Sequence, residues 1–147
     1  MAIAATDATD RVEQLIILTE RLTALIAEQA AFFETRRPND AAAMHEEISR
    51  LANLYRHESA RVRADTTMVA SAPLEARTRL VRATEGFDAV LARQSRALEA
   101  ARTVTEGLVK AIAEEVADQR TQGSTYGAGG RQAPGANATA ITLNKRA

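Results

Sequence analysis

Two histidines are the side chains in this sequence best suited to metal binding or acid–base chemistry, and their spacing argues against both. His45 and His57 are 12 residues apart, which on one helix places them about 120° apart around the axis. The stretch MHEEIS lacks the second histidine, at i+4, of a helical zinc-protease site. No Glu-x-x-His pair supports a di-iron helical bundle. We therefore predict that both histidines are solvated surface groups.

The other candidates for chemistry are weaker still. The chain has no cysteine, which excludes disulfides, thiol catalysis and cysteine metal sites. The glycines of YGAGG do not match a nucleotide-binding fingerprint, because no strand precedes them and no helix follows. The acidic group Glu114, Glu115 and Asp118 is explained by the solvated side of a helix. We expect no enzyme activity, no cofactor and no bound metal.

Charge and hydropathy argue against nucleic acid and membrane as partners. With 19 basic and 19 acidic residues the formal net charge is zero, and the arginines lie among acids without interleaved aromatics, so we expect no nucleic-acid partner. The N-terminus has no signal-peptide pattern, and no apolar run approaches the roughly 20 residues of a membrane span. The sequence predicts a cytoplasmic protein with no membrane insertion.

The elements are helices. Alanine supplies much of the 46% hydrophobic content, and aromatic residues make up only 3%, so long helices with narrow apolar seams are favoured. The breaks TRRPND and ASAPLEA, with Pro38 and Pro73, separate three predicted helices at about 8–35, 40–70 and 73–120. Short connections predict an all-α, three-helix antiparallel bundle resembling a coiled coil, with residues 1–120 as the helical domain.

Each helix carries an apolar seam with steps of three or four residues. Glu58 and Asp65 make the seam of the second helix weaker and more polar. The first seam consists of Leu15, Leu18, Leu22, Leu25 and Phe32, widened by Ile16, Ile26 and Phe33. The second consists of Met44, Ile48, Leu51, Tyr55, Val62 and Val69. The third consists of Leu80, Phe87, Leu91, Leu98, Leu108 and Ile112.

The third helix should outrun its companions after about residue 103, because it is much longer than the other two. Leu108, Val109, Ile112 and Val116 lie within about 100° of one another around its axis. An uncovered apolar strip of this kind usually marks a partner site. The alternatives are that the helix bends at Gly107 and folds back, or that the strips of two copies pair.

Residues 121–147 differ in character from the rest. They hold five of the seven glycines and three basic residues without any acid. Gly123 is predicted to end the third helix, and the segment that follows is predicted to be a disordered, flexible tail. Tyr126 is its one candidate anchor, and Ile141 with Leu143 could pair with a partner as a short strand. It is either a docking tail or a passive solubilising end.

The whole pattern resembles the FlgN-type flagellar export chaperones, which serve the flagellar type III secretion system. The resemblance rests on the three leucine- and alanine-rich segments with a long last helix, and on STYGAGGRQ at 124–132, which is similar to a Tyr-Gly-x-x-Gly element of that family. The closing AITLNKRA also looks similar to C-terminal ends in alphaproteobacterial members.

The resemblance implies a chaperone that binds the terminal helical segments of hook-associated (hook-filament junction) proteins, prevents their premature assembly and delivers them to the export apparatus. The implied partner-binding residues are Leu98, Thr105, Leu108, Val109, Ile112 and Val116. The implied export-docking residues are Tyr126, Gly127, Gly130, Ile141 and Leu143. A chaperone should be a monomer or small homo-oligomer. The alternative is a coiled-coil structural or oligomerising adaptor protein without an export role.

Overall fold

The described part of the chain is all-α, as predicted. The computed structural model describes the backbone of residues 2–128 and the side chains of residues 2–124. The helices are α1 (Ala8–Glu34), α2 (Pro38–Ala43), α3 (His45–Ala64), α4 (Thr67–Ala70) and α5 (Leu74–Ala128). They form two compact units, Met1–Thr103 and Val104–Ala147, and α5 contributes residues to both.

Helix α1 begins where the sequence predicts. Asp7 is its N-cap, and its Oδ1 accepts a hydrogen bond of 2.8 Å from the backbone N–H of Asp10. Asp10 in turn accepts from the backbone N–H of Thr6 at 2.9 Å. These bonds satisfy donors that a helix end otherwise leaves unpaired. The backbone hydrogen bond from Thr6 is the main cause that lowers the pKa of Asp10 below its ordinary value of 3.8.

The end of α1 is a Schellman motif built on an arginine. Arg36 has φ 59°, the left-handed conformation that glycine normally supplies. The backbone N–H of Arg37 donates to the carbonyl of Phe32 at 2.8 Å, and that of Arg36 donates to Phe33 at 3.2 Å. Pro38 then begins α2, so the proline starts the next helix while the arginine turn ends the previous one.

The predicted helix 40–70 is wrong as a single element, because the chain there forms α2, α3 and α4. The break after α3 lies at Asp65, whose backbone is extended with φ −139° and ψ 90°. Its Oδ1 accepts from the backbone N–H of Thr67 at 3.1 Å and from the Thr67 hydroxyl. A short acidic side chain can replace helical hydrogen bonds in this way, so Asp65 ends the helix instead of weakening its seam.

Within Met1–Thr103 the three longer helices run up, down and up. Glu13 and Glu34 of α1 pair with Arg79 and Arg93 of α5 in the same order along both helices. Helix α3 pairs with α1 in the opposite order, since Arg11 binds Glu58 whereas Arg21, further along α1, binds Glu47. The antiparallel arrangement of successive helices is therefore as predicted.

Two clusters of buried side chains form the core of this unit. One joins all three long helices and contains Leu22, Leu25, Ile26, Ile48 and Phe87. The other, at the beginning of α1, contains Val12, Ile16, Ala72 and Ala76. The rings of Tyr55 and Phe87 meet with centroids 4.8 Å apart at 54°, a tilted geometry that aromatic pairs favour.

The predicted seam of the third helix is wrong at two positions, Leu91 and Leu98, while Leu80 packs against the core as predicted. Leu91 and Leu98 are 38% and 43% exposed, whereas Ala76 and Ala97 are buried. Phe87 is buried as predicted. Small side chains allow the helices to approach closely, and the positions that face the neighbours are therefore occupied partly by alanine. The large leucines lie toward one edge of the contact.

The polar residues inside the unit are fully paired. Gln29 is 6% exposed, donates to the carbonyl of Ala41 at 2.9 Å and accepts from the amide of Gln94. Glu58 is 0% exposed. Its carboxylate accepts from Arg11 Nη1 at 3.1 Å, from Arg61 Nη1 at 3.1 Å and from the backbone N–H of Ile3 at 2.9 Å. Glu58 thus joins the N-terminal segment, α1 and α3.

A bidentate ion pair links α1 and α5 at the surface. Arg93 Nε and Nη2 donate to the two carboxylate oxygens of Glu34 at 2.8 and 2.7 Å. The hydrogen bond from Arg93 is the main cause that lowers the pKa of Glu34 below its ordinary value of 4.5. Both side chains are 42% exposed, so solvent screens the pair.

Helix α5 does not end at Gly123, contrary to the prediction. It continues to Ala128 and includes Gly86, Gly107 and Gly123. None of the glycines in the described residues has positive φ, so Gly123 does not adopt the left-handed conformation of a helix C-cap. No proline follows within the helix, and its hydrogen bonding can continue past the glycine. The predicted boundary at 120–121 therefore lies inside α5.

Candidate partner-binding site

The C-terminal part of α5 carries an exposed apolar strip. From Val104 to Ser124 every side chain is exposed. Leu108, Val109, Ile112 and Val116 are 60%, 61%, 55% and 41% exposed. We call these four residues the C-terminal strip. They cover about 100° of the helix surface and about 12 Å of its length, which is the size of the apolar contact that one partner helix makes.

Local sequence explains why this part of the chain is helical without a buried core. Ala111, Ala113 and Ala117 are strong helix formers, and Lys110 pairs with Glu114 at 3.9 Å across one turn. Such pairs stabilise a helix by about 0.2–0.5 kcal/mol each. A Cβ added at Gly107 would meet nothing within 4 Å. The position therefore does not require glycine to make room for a neighbouring group.

Charged residues flank the C-terminal strip unequally. Glu115 lies about 60° to one side of Ile112 around the helix axis, and Arg120 lies about 80° to the other side. Asp118 is on the acidic side, beyond Glu115. Glu115 accepts a hydrogen bond of 2.9 Å from Gln119. The strip therefore presents an acidic edge at Glu115 and, on the opposite side, an edge that is basic at Arg120 and carries Glu106 about 40° further round the helix.

The other predicted site residues fall in different places. Leu98 is 43% exposed and belongs to the Met1–Thr103 unit. Thr105 is exposed and makes an interaction of its own. The backbones of Tyr126 and Gly127 belong to the last turns of α5. Gly130, Ile141 and Leu143 lie outside the described residues.

A second apolar surface was missed by the sequence analysis. An open groove of about 290 Å³ runs between α1 and α3, and we call it the α1/α3 groove. Its lining residues are Ile3, Gln14, Ile17, Leu18, Arg21, Leu51 and Leu54. Ile17 is 64% exposed. The run LIIL at 15–18 was the available signal, because four consecutive apolar residues on a helix cannot all face one core.

The described residues hold no group of three or more His, Cys, Asp or Glu side chains arranged to bind a metal. His45 and His57 are exposed, as predicted. None of the helices in the described part of the chain combines the length and the apolar character that a membrane span needs.

A known protein is similar to this chain over its full length. The flagellar basal-body protein FlbY of Caulobacter vibrioides is 67% identical over 152 aligned residues, covering 100% of both chains. No protein-family model matches the sequence. No solved structure matches it either.

Proposed function

Since the chain belongs to the family of the flagellar basal-body protein FlbY, we propose that it acts in flagellar assembly as an export chaperone. In this proposal it works in the cytoplasm, binds hook-associated proteins through their terminal helical segments and keeps them unassembled. It then delivers them to the export apparatus.

The observation that supports this proposal is the C-terminal strip. An apolar assembly segment is prone to aggregate when it is unpolymerised, and a matching apolar helix face can cover it by helix pairing. The four side chains are 41–61% exposed. Covering the rest of each contributes roughly 1 kcal/mol, or about 4 kcal/mol together. A micromolar complex requires about −8 kcal/mol, so the client must also contact neighbouring positions, with Leu98 and Thr105 as candidates.

Substitution of Ile112 by aspartate tests the proposal. Ile112→Asp places a charge in the middle of the strip and should abolish binding of a purified hook-associated subunit from the same organism. Because Ile112 is 55% exposed, the helix content of the variant should not change. The matched control is Ala117→Asp, which adds the same charge about 140° away on the same helix. Ala117→Asp should bind normally.

The measurement is light scattering coupled to gel filtration, with circular dichroism as the folding control. Wild-type protein and Ala117→Asp should each form a discrete 1:1 complex with the subunit. Normal binding by Ile112→Asp with intact helicity would refute the assignment of the strip.

We also propose that the C-terminal segment, with Tyr126, Gly127, Gly130, Ile141 and Leu143 as its docking residues, binds the export apparatus. Deletion of residues 129–147 keeps all of α5 and should leave client binding unchanged while export of the client falls. A functional export assay and the binding assay above separate these two effects. Unimpaired export by the truncated chain would make the segment a passive end.

The second candidate is a structural or oligomerising component of the basal body, and the name of the FlbY relative favours it. Such a protein should co-purify with isolated basal bodies and should not form a complex with hook-associated subunits. A chaperone should be absent from purified basal bodies and should form that complex. Fractionation with an antibody to the chain therefore separates the two candidates.

A further inference from the structure

The α1/α3 groove has no occupant among the described residues, although its walls are aliphatic. Ile17 and Leu18 form the α1 side, and Leu51 and Leu54 form the α3 side. The ion pair of Arg21 with Glu47 at 2.8 Å lies at one end. At the other end, Gln14 donates to the carbonyl of Ala4 at 2.9 Å, and so the groove is a bounded site.

The dimensions of the groove match a short stretch of helix. Its lining on α1 extends from Gln14 to Arg21, which is about 10 Å or two turns at 1.5 Å per residue. The C-terminal strip covers about 12 Å on α5 by the same geometry. Aliphatic side chains at i and i+4, such as those of Leu108, Ile112 and Val116, form the ridge that packs between two helices.

Charge also matches across the two surfaces. Arg50 and His57 are exposed on the α3 side, where they line the recess next to the groove. Glu20 is exposed on the α1 side, beyond Ile17. Neither Arg50 nor Glu20 makes an ion pair within residues 2–124. The groove therefore has a basic edge and an acidic edge.

The C-terminal strip has the complementary pair of edges, with Glu115 on one side and Arg120 on the other. In one of the two orientations of an incoming helix, Glu115 faces the Arg50 edge and Arg120 faces the Glu20 edge. In that orientation the contact buries the apolar side chains of the strip and the groove and places opposite charges at each edge. Both effects favour association, and the charges select one orientation of the incoming helix.

From this match we propose that the α1/α3 groove binds the C-terminal strip of a second copy of this chain. The contact is heterologous, since strip and groove are different surfaces. The inference does not require that the protein be a chaperone. If it is one, self-association and client binding use the same strip, and the client must displace the second copy.

The first experiment is sedimentation velocity on the full chain over a range of concentrations. Wild-type protein should associate reversibly. Ile17→Asp places a carboxylate in the groove and should weaken association by about 100-fold. The fold should be unaffected, because Ile17 is 64% exposed. A wild-type protein that stays monomeric at all concentrations would overturn the proposal.

A charge exchange then identifies which surfaces meet. R50E alone and E115R alone each oppose like charges across the contact, and each should weaken self-association about tenfold. In an equimolar mixture of R50E and E115R, every strip–groove contact between the two different variants brings opposite charges together. The mixture should therefore associate with an affinity near that of the wild type.

The remaining outcomes distinguish the alternatives. If association is lost in Ile112→Asp but is unaffected by Ile17→Asp and R50E, the strips of two copies pair with each other and the groove is not involved. That result refutes this inference. Client binding by Ile17→Asp separates the two proposals, because a client that pairs with the strip should still bind this variant. Loss of client binding in Ile112→Asp bears only on the proposed function.

Discussion

Replacement of Glu58 by alanine should be among the most destabilising single changes in the Met1–Thr103 unit. The Glu58 side chain is fully buried and accepts hydrogen bonds from Arg11, Arg61 and the backbone N–H of Ile3. Removing one member of a buried ion pair costs about 3–5 kcal/mol, because the other charge stays behind without a partner.

The exposure of Glu58, Arg11 and Arg61 predicts how much stability is lost when each is replaced. Arg11 is 12% exposed and cannot easily turn its guanidinium to water, whereas Arg61 is 36% exposed and can. We therefore expect a loss of about 3 kcal/mol in the free energy of unfolding for Glu58→Ala, about 1–2 kcal/mol for Arg11→Met and less than about 1 kcal/mol for Arg61→Met. Since small domains are stable by about 5–15 kcal/mol, Glu58→Ala should remain folded.

The assay is urea denaturation followed by circular dichroism at the helical band, with hydrogen exchange at the amide of Ile3 as a local readout. That amide should lose its protection in Glu58→Ala and keep it in Arg61→Met. The double variant Glu58→Leu with Arg11→Met should be more stable than Glu58→Ala, because it leaves no buried charge. A cost below about 1 kcal/mol for Glu58→Ala, or the reverse order of the arginines, would show that the ion pair is not structural.

Two further predictions concern local conformation and pH. Arg36→Gly should raise the free energy of unfolding by about 1 kcal/mol, because glycine adopts the left-handed conformation without steric cost; a lower melting temperature would contradict this. Glu34 and Asp10 have pKa values lowered by folding, so the stability they contribute is present at neutral pH and is lost as the pH falls below their ordinary values. Denaturation between about pH 6 and pH 3 should show this loss, and Glu34→Gln should reduce the slope; an unchanged slope in that variant would contradict the role of the Arg93 pair.

The sequence was sufficient for the number and order of the long helices. Asp7 and Pro73 are strong local signals, and both lie where the prediction placed the starts of α1 and α5. Heptad spacing identified the buried side of α1 because its large aliphatic residues coincide with the core. Local signals and apolar pattern agree at these places, and the prediction succeeds there.

The prediction failed where a residue has two physically reasonable roles. Asp65 can weaken a seam or cap a turn, and its local hydrogen bonds with Thr67 decide for the turn, which apolar periodicity does not reveal. In the sequence, Glu58 interrupts an apolar seam. Only the fold shows that Arg11, which is distant in sequence, lies beside it and pairs with its charge. On α5, the choice of Leu98 over the neighbouring Ala97 followed hydrophobicity, whereas packing depends on how closely two backbones approach.

The C-terminal strip was predicted from helix length and apolar spacing, and the resemblance to the export chaperones implied the same strip as the partner-binding site; its four side chains are exposed. The α1/α3 groove was not predicted, because it arises only when two helices are placed side by side. Ile17 lies in the apolar run LIIL, outside the predicted seam of α1, and is exposed in the fold.

The hydrogen bond between the amides of Gln29 and Gln94 helps to set the register in which α1 and α5 pack. Seams of leucine and alanine repeat every seven residues, so α1 and α5 could slide past each other by one heptad and still bury apolar surface. Such a slip would separate the two glutamines and leave the Oε1 atom of the buried Gln29 without the donor that Gln94 supplies, at a cost of about 1–3 kcal/mol. The hydrogen bond between the two glutamines therefore stabilises the native register of α1 and α5 relative to registers shifted by one heptad.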